Sequence, residues 1–124
     1  MKILIADDDP IIRKLFFEVL TSDGHQVTVV ENGAEAFKEA QKQRFQLLFM
    51  DVHMPVMNGL EAMLNIRDLH QEIVVVMMDS YPDQLAHQAK KEGALTCIHK
   101  PFDLREIRKV IQGVEDLIPK EINC

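Results

Sequence analysis

Short apolar runs alternate with amphipathic stretches along this chain. Lys2 to Ala6 (KILIA), Gln26 to Val30 (QVTVV), Phe45 to Met50 (FQLLFM), Ile73 to Met78 (IVVVMM) and Leu95 to Ile98 (LTCI) read as five strands. Between them the apolar positions recur at helical spacing. After Asp7-Asp8-Asp9-Pro10, Ile12, Leu15, Phe16, Val19 and Leu20 fall on one helical face, with Asp9 as cap and Pro10 in the first turn. Asp23-Gly24 ends that helix, and Asn32-Gly33 marks a turn after the second strand. Ala34 to Gln43 turns Ala36, Phe37 and Ala40 inward. A loop with Pro55 and Gly59 precedes a helix from Leu60 to Leu69. Gln84 to Glu92 is a short helix stopped by Gly93. Asp103 and Glu106 have capping-box spacing and open a last helix to Leu117.

Strands that are apolar throughout, rather than alternating, are buried on both faces. Alternation of such strands with helices predicts an α/β fold, a single parallel sheet with helices on both faces. In sheets of this kind the ligand site lies at the carboxyl ends of the strands. Asp7 and Asp8 follow the first run, Asp51 the third, Asp79 and Ser80 the fourth, and Lys100-Pro101 the fifth. Asp9 and Asp103 read as helix caps instead.

Three converging carboxylates repel one another unless something compensates them. A hard divalent cation does so, and Mg²⁺ uses oxygen ligands, one or two of them carboxylates, beside a phosphoryl oxygen. Lys100 adds a compact positive charge for the same group. The set suits phosphoryl transfer onto an Asp nucleophile. On chemistry alone an acidic rim that only binds a cation is the competing reading.

Composition narrows the classes. The chain has 124 residues, one domain's worth, and is 47% hydrophobic against 27% charged, as globular proteins are. Its net charge of -6 opposes non-specific nucleic-acid binding, which needs a basic face. No apolar run approaches the ~18 residues of a membrane span and no signal peptide opens the chain, so a cytoplasmic protein is expected. The 2 cysteines, Cys97 and Cys124, form no disulfide framework. The histidines, His25, His53, His70, His87 and His99, show no paired ligand spacing, and His99 is expected to face the last helix. The methionines around the third and fourth strands read as core filling. Arg105, Arg108 and Lys109 read as a solvated mixed face.

Three motifs in order carry a family resemblance: KILIADDDP, MDVHMPVMNG and GALTCIHKPFDLREI. Together they resemble the receiver domain of two-component response regulators over the whole chain. The last segment is similar to the sporulation phosphorelay branch of that family. The resemblance implies a flavodoxin-like (βα)5 fold with strand order 2-1-3-4-5 and residues 1–124 as one receiver domain standing alone. It implies that Asp51 is the phosphoacceptor, fed by a histidine kinase or a His-containing phosphotransfer protein. Mg²⁺, with Mn²⁺ as substitute, would be held by the carboxylates of Asp8 and Asp51, by the backbone carbonyl of His53, and by Asp7 through water. Lys100 would contact the phosphoryl group, and the Lys100-Pro101 bond would be cis. The last two helices and the fifth strand would meet a downstream protein. No nucleic-acid or membrane contact is expected within the chain. The protein would be a switch, assisting its own phosphorylation and dephosphorylation, rather than a turnover enzyme.

Two departures from the family pattern stand out. The family places Thr or Ser at the end of the fourth strand, where this chain has Asp79, with Ser80 one residue later; the switch position is Asp79 or, if the alignment slips by one residue, Ser80 in the hydroxyl role. A carboxylate there cannot donate a hydrogen bond unless protonated. At ~6 Å it would oppose each added phosphate charge by ~3 kcal/mol at an effective dielectric near 20. Cys97 stands where many members carry Tyr or Phe, so an aromatic swing is not expected. His53 and Tyr81 would flank the entrance and govern water access, and so the phosphate's lifetime; Cys97, otherwise a small core residue, is the third modulating position.

The second function to weigh is a phosphorylation-independent docking module, supported by Asp79. An Asp-nucleophile phosphatase would show Asp-x-Asp, which Asp51-Val52-His53 lacks. A flavin carrier would need a phosphate-cradling loop where this chain has Asp7 to Asp9.

Overall fold

The computed structural model describes residues 1–79, 84–100 and 103–117. Their elements alternate strictly. The strands are β1 (Lys2–Ala6), β2 (Gln26–Val30), β3 (Leu47–Asp51), β4 (Val74–Asp79) and β5 (Thr96–His99). The helices are α1 (Pro10–Ser22), α2 (Gly33–Lys42), α3 (Gly59–Leu69), α4 (Gln84–Lys91) and α5 (Leu104–Leu117). All strand pairs are parallel and the order is β2-β1-β3-β4-β5. The expected doubly wound α/β sheet is therefore present, with the order the family resemblance implied.

The helices start where short polar side chains replace missing intrahelical partners. Asp9 accepts from the Ile11 amide, Asn32 from Glu35, Asn58 from Glu61 and Asp103 from Glu106, each at 2.9 Å. Asn32-Gly33 is thus a helix start rather than a separate turn, and Gly59 opens α3 rather than lying in the loop. The sequence also set three strands too early. Phe45, Gln46, Ile73 and Leu95 lie outside β3, β4 and β5, while Asp51, Asp79 and His99 are their last residues. The physical reason is that ladder bonds are made by backbone groups, so a polar side chain can close a strand without ending its pairing.

The inner strands β1, β3 and β4 are buried on both faces, as expected, while the edge strand β2 is buried only at Val30. On one side Leu4, Leu48, Met50, Val75 and Met77 pack with Ala36, Ala40, Ala62, Met63, Ile66 and Ala89 from α2, α3 and α4. On the other, Ile3, Ile5, Leu47, Phe49, Val76 and Ile98 pack with Phe16 and Leu20 of α1 and Ile107, Ile111 and Val114 of α5. The rings of Phe16 and Phe49 meet there at 4.9 Å between centroids. Each fully buried large side chain contributes roughly 1.5–3 kcal/mol, which gives the rim above this core a firm base. Met50, Met63, Met77 and Met78 are core residues, as expected.

Candidate functional site

Among the described residues the buried polar or charged side chains are Asp7, Asp51 and Asp79. All three stand at the carboxyl rim of the sheet. A buried carboxylate is costly unless paired, so their partners matter.

Asp7 follows β1, and its amide extends the ladder to the Val30 carbonyl at 3.2 Å. Arg13 of α1 donates to the Asp7 carbonyl at 2.8 Å and pairs with Glu31 at 3.6 Å, which ties the helix to this corner. Nothing in the spacing of Arg13 signalled that contact. One Asp7 oxygen accepts from the Asp9 amide at 2.9 Å and the other lies 2.7 Å from Lys100 Nζ.

Asp51 closes β3. The next amide, of Val52, donates to the Met78 carbonyl, and Gly59 donates to the Val52 carbonyl, both at 2.9 Å. This folds the loop 52–58 tightly over the strand end. A Cβ on Gly59 would run into the Asp51 carbonyl and lie 2.9 Å from Val52 Cα, so only glycine lets α3 start so close. In the same loop Val56 takes φ +72°, inside a three-residue turn closed by the Met57 amide on the Pro55 carbonyl at 2.8 Å. A β-branched residue in that region stores ~1–3 kcal/mol.

The carboxylate of Asp51 accepts from the His53 amide at 3.2 Å and from Lys100 Nζ at 3.3 Å. Oxygens of Asp7, Asp8 and Asp51 lie within 4.8 Å of one another. Three carboxylates and one ammonium leave a net charge of two negatives, which a divalent cation would cancel. Burial, then the charge of Asp7, pushes the Asp51 carboxyl up to about 6, although Lys100 and the His53 amide pull it down. For Lys100, burial works to lower its pKa, but the Asp7 and Asp51 carboxylates outweigh that and raise it. Lys100 is therefore held charged between the two acids.

Asp79 belongs to a different group. It pairs in register with His99 on β5, and Cys97 lies two residues earlier on the same face. One carboxylate oxygen of Asp79 is bonded to His99 Nδ1, and the other receives the Cys97 thiol at 3.3 Å. Its backbone carbonyl accepts from the Lys100 amide at 2.6 Å. The expectation that His99 faces the last helix is thereby corrected. Ile98 packs on α5, so the period of two turns His99 to the opposite face. That alternation was available in the sequence and puts His99 on the side away from α5; the register with β4 then sets it opposite Asp79. Arg108, expected on a solvated face, donates twice to Asp23 of the α1 C-cap, at 2.9 and 3.1 Å. Ser80, Tyr81, Pro101 and Cys124 lie outside the described residues. So do the expectations placed on them, the cis bond included. No helix among the described residues is long and apolar enough to cross a membrane.

Residues 3–112 match the family described as Response regulator receiver domain. Over 112 residues the chain is 36% identical to sporulation initiation phosphotransferase F of Bacillus subtilis (strain 168), with 90% of each chain covered. Among solved structures it is similar to the chemotaxis protein CheY4 of Vibrio cholerae, with a TM-score of 0.84 and 33% identity over 91% of this chain and 97% of that one. It is also similar to the receiver domain of the sensor histidine kinase PA1611 of Pseudomonas aeruginosa PAO1, solved with a magnesium ion coordinated in the active site cleft. That likeness has a TM-score of 0.82 and 26% identity over 90% of this chain and 94% of that one.

Proposed function

The chain belongs to the response regulator receiver domain family, and we propose that within it Asp51 is the residue that takes up the phosphoryl group. Receiver domains serve phosphorylation-based two-component signalling and meet histidine kinases or phosphotransfer proteins. The finer reading rests on one observation: Asp51 is buried at a strand end with Asp7, Asp8 and Lys100 around it.

In this reading an Asp51 carboxylate oxygen attacks the phosphorus of a phosphohistidine. The P–O bond forms as the P–N bond breaks, and the imidazole leaves. Lys100 holds one positive charge beside the transferring oxygens, and its pairing with Asp7 fixes the ammonium in place. The His53 amide fixes the other Asp51 oxygen and so aims the nucleophile. The net negative charge and all-oxygen donor set of Asp7, Asp8 and Asp51 fit Mg²⁺, or Mn²⁺ in its place. Asp8 and Asp51 would hold the ion by their carboxylates, His53 by its backbone carbonyl and Asp7 through water. When bound, it neutralises charge on the phosphoryl oxygens. Residues 1–124 act as one receiver unit in the cytoplasm and work as a switch. The downstream protein is met by α4, β5 and α5.

A second reading keeps the fold and dispenses with phosphate: a docking module. It is favoured by Asp79, a buried carboxylate where the family uses a hydroxyl. The two are separated by incubation with Mg²⁺ and a small phosphodonor. The phosphoacceptor reading expects one phosphate by intact mass, absent without Mg²⁺ and in Asp51→Asn. It expects a higher yield in Asp79→Thr. No adduct on folded, Mg²⁺-binding protein would favour docking alone.

A further inference from the structure

We propose that Asp79, Cys97 and His99 form a second cation site, for a borderline divalent ion such as Zn²⁺, on the face of β4 and β5 opposite α5. A carboxylate oxygen of Asp79, the thiol of Cys97 and a ring nitrogen of His99 lie within 4.8 Å of one another, one ligand atom from each. Tetrahedral Zn²⁺ with bonds of ~2.0–2.3 Å sets its donors ~3.3–3.8 Å apart, which small side-chain adjustments from this cluster would reach. Strand register produces the cluster. Asp79 and His99 are direct partners, and Cys97 sits one pleat below on the same face. The donors therefore stand on hydrogen-bonded strands, where a ligand set is held more firmly than on loops.

Donor chemistry separates this group from the Asp7–Asp8–Asp51 pocket. That pocket offers oxygen alone and suits a hard ion. Here oxygen, sulfur and nitrogen converge, the combination that borderline metals take. Charge balance agrees. Ion binding would release the thiol proton to solvent, and thiolate, carboxylate and neutral imidazole would then cancel a divalent charge. A neutral complex suits Asp79, which has no solvent exposure, and the His99 side chain, 64% exposed, gives a path from solvent. Three protein ligands leave a fourth position for water or another group. Without an ion the same three groups form the hydrogen-bonded cluster seen here. The site does not depend on whether Asp51 takes up phosphate.

Cobalt(II) reports on such a site directly. In Cys124→Ser protein, where Cys97 is the remaining thiol, one equivalent of Co²⁺ should give a thiolate-to-cobalt charge-transfer band with tetrahedral visible absorption. Zn²⁺, the stronger binder of the two, should bleach both. His99→Ala and Asp79→Asn should each weaken the band's titration at least tenfold. Asp51→Asn should leave it unchanged even though it removes the phosphate adduct, so the two sites fail separately. Zn²⁺ should also slow alkylation of Cys97 in the Cys124→Ser protein, a readout that needs no ligand substitution. Absence of the band at stoichiometric Co²⁺, or alkylation indifferent to Zn²⁺, would overturn the site.

Discussion

Asp51 and Asp79 are both the last residue of a buried parallel strand, yet they serve different surroundings. Asp51 meets Asp7, Asp8 and Lys100; Asp79 meets Cys97 and His99. The difference comes from alternation. Met50 and Met77 point to the α2–α4 side of the sheet, so the residue after Met50 and the second residue after Met77 start toward opposite faces. One fold thus presents an oxygen-only pocket with a fixed ammonium and, beside it, a mixed O, S and N cluster. The same residue type at equivalent strand ends acquires its chemistry from what the neighbouring strand delivers.

The comparison breaks most sharply at Lys100. Lys100→Ala removes the positive charge from the Asp51 pocket and should slow phosphate uptake from a small phosphodonor ~100-fold. The cobalt band of the Asp79 cluster should persist. Loss of both together would mean that the two clusters are one site.

Gly59→Ala comes next. Its Cβ would press on the Asp51 carbonyl, Val52 Cα and the Met77 side chain, and overpacking of this kind costs ~2 kcal/mol. The denaturant midpoint should fall accordingly, and Mg²⁺ affinity should fall more than Co²⁺ affinity at Cys97. Wild-type stability would show that the α3 entry is looser than its geometry.

A pH series sharpens the difference further. Folding raises the Asp51 pKa from 3.8 to about 6. In cation-free protein this group therefore favours the fold fully below about pH 4, and the contribution disappears as pH rises through about 6. Mg²⁺ needs the carboxylate, so binding runs the other way. Its affinity should weaken about fourfold between pH 7.5 and 5.5, the fall in ionised fraction for a pKa near 6. Asp51→Asn should raise the melting temperature of the cation-free protein at pH 7.5. Calorimetry across this range checks both, and a flat Mg²⁺ affinity would contradict the role given to Asp51.

The architecture was legible because five apolar runs and the helix caps Asp9 and Asp103 need only local patterning, whereas Asn32 and Asn58 show themselves as caps only in the structure. The rim was legible because Asp7, Asp51 and Lys100 each follow such a run. What escaped the sequence is long-range or conformational. Arg13 reaches the Asp7 carbonyl only once α1 is packed. The His99–Asp79 pair needs the β4–β5 register as well as the period of two. The left-handed turn at Val56 carries no glycine to announce it. That turn yields the smallest prediction. Val56 is 84% exposed and loses little packing, so Val56→Gly trades relieved strain against a looser unfolded chain. The protein should gain ~0.5 kcal/mol in a denaturant melt. A loss would place the strain elsewhere in the loop.

The central assignment can be read at a single atom. Protein treated with Mg²⁺ and a small phosphodonor is reduced with borohydride, which converts an aspartyl phosphate to homoserine, and is then sequenced by fragmentation. Homoserine should occupy position 51 and no other. Homoserine at Asp7, Asp8 or Asp79, or none in protein that carries phosphate, would contradict Asp51 as the acceptor.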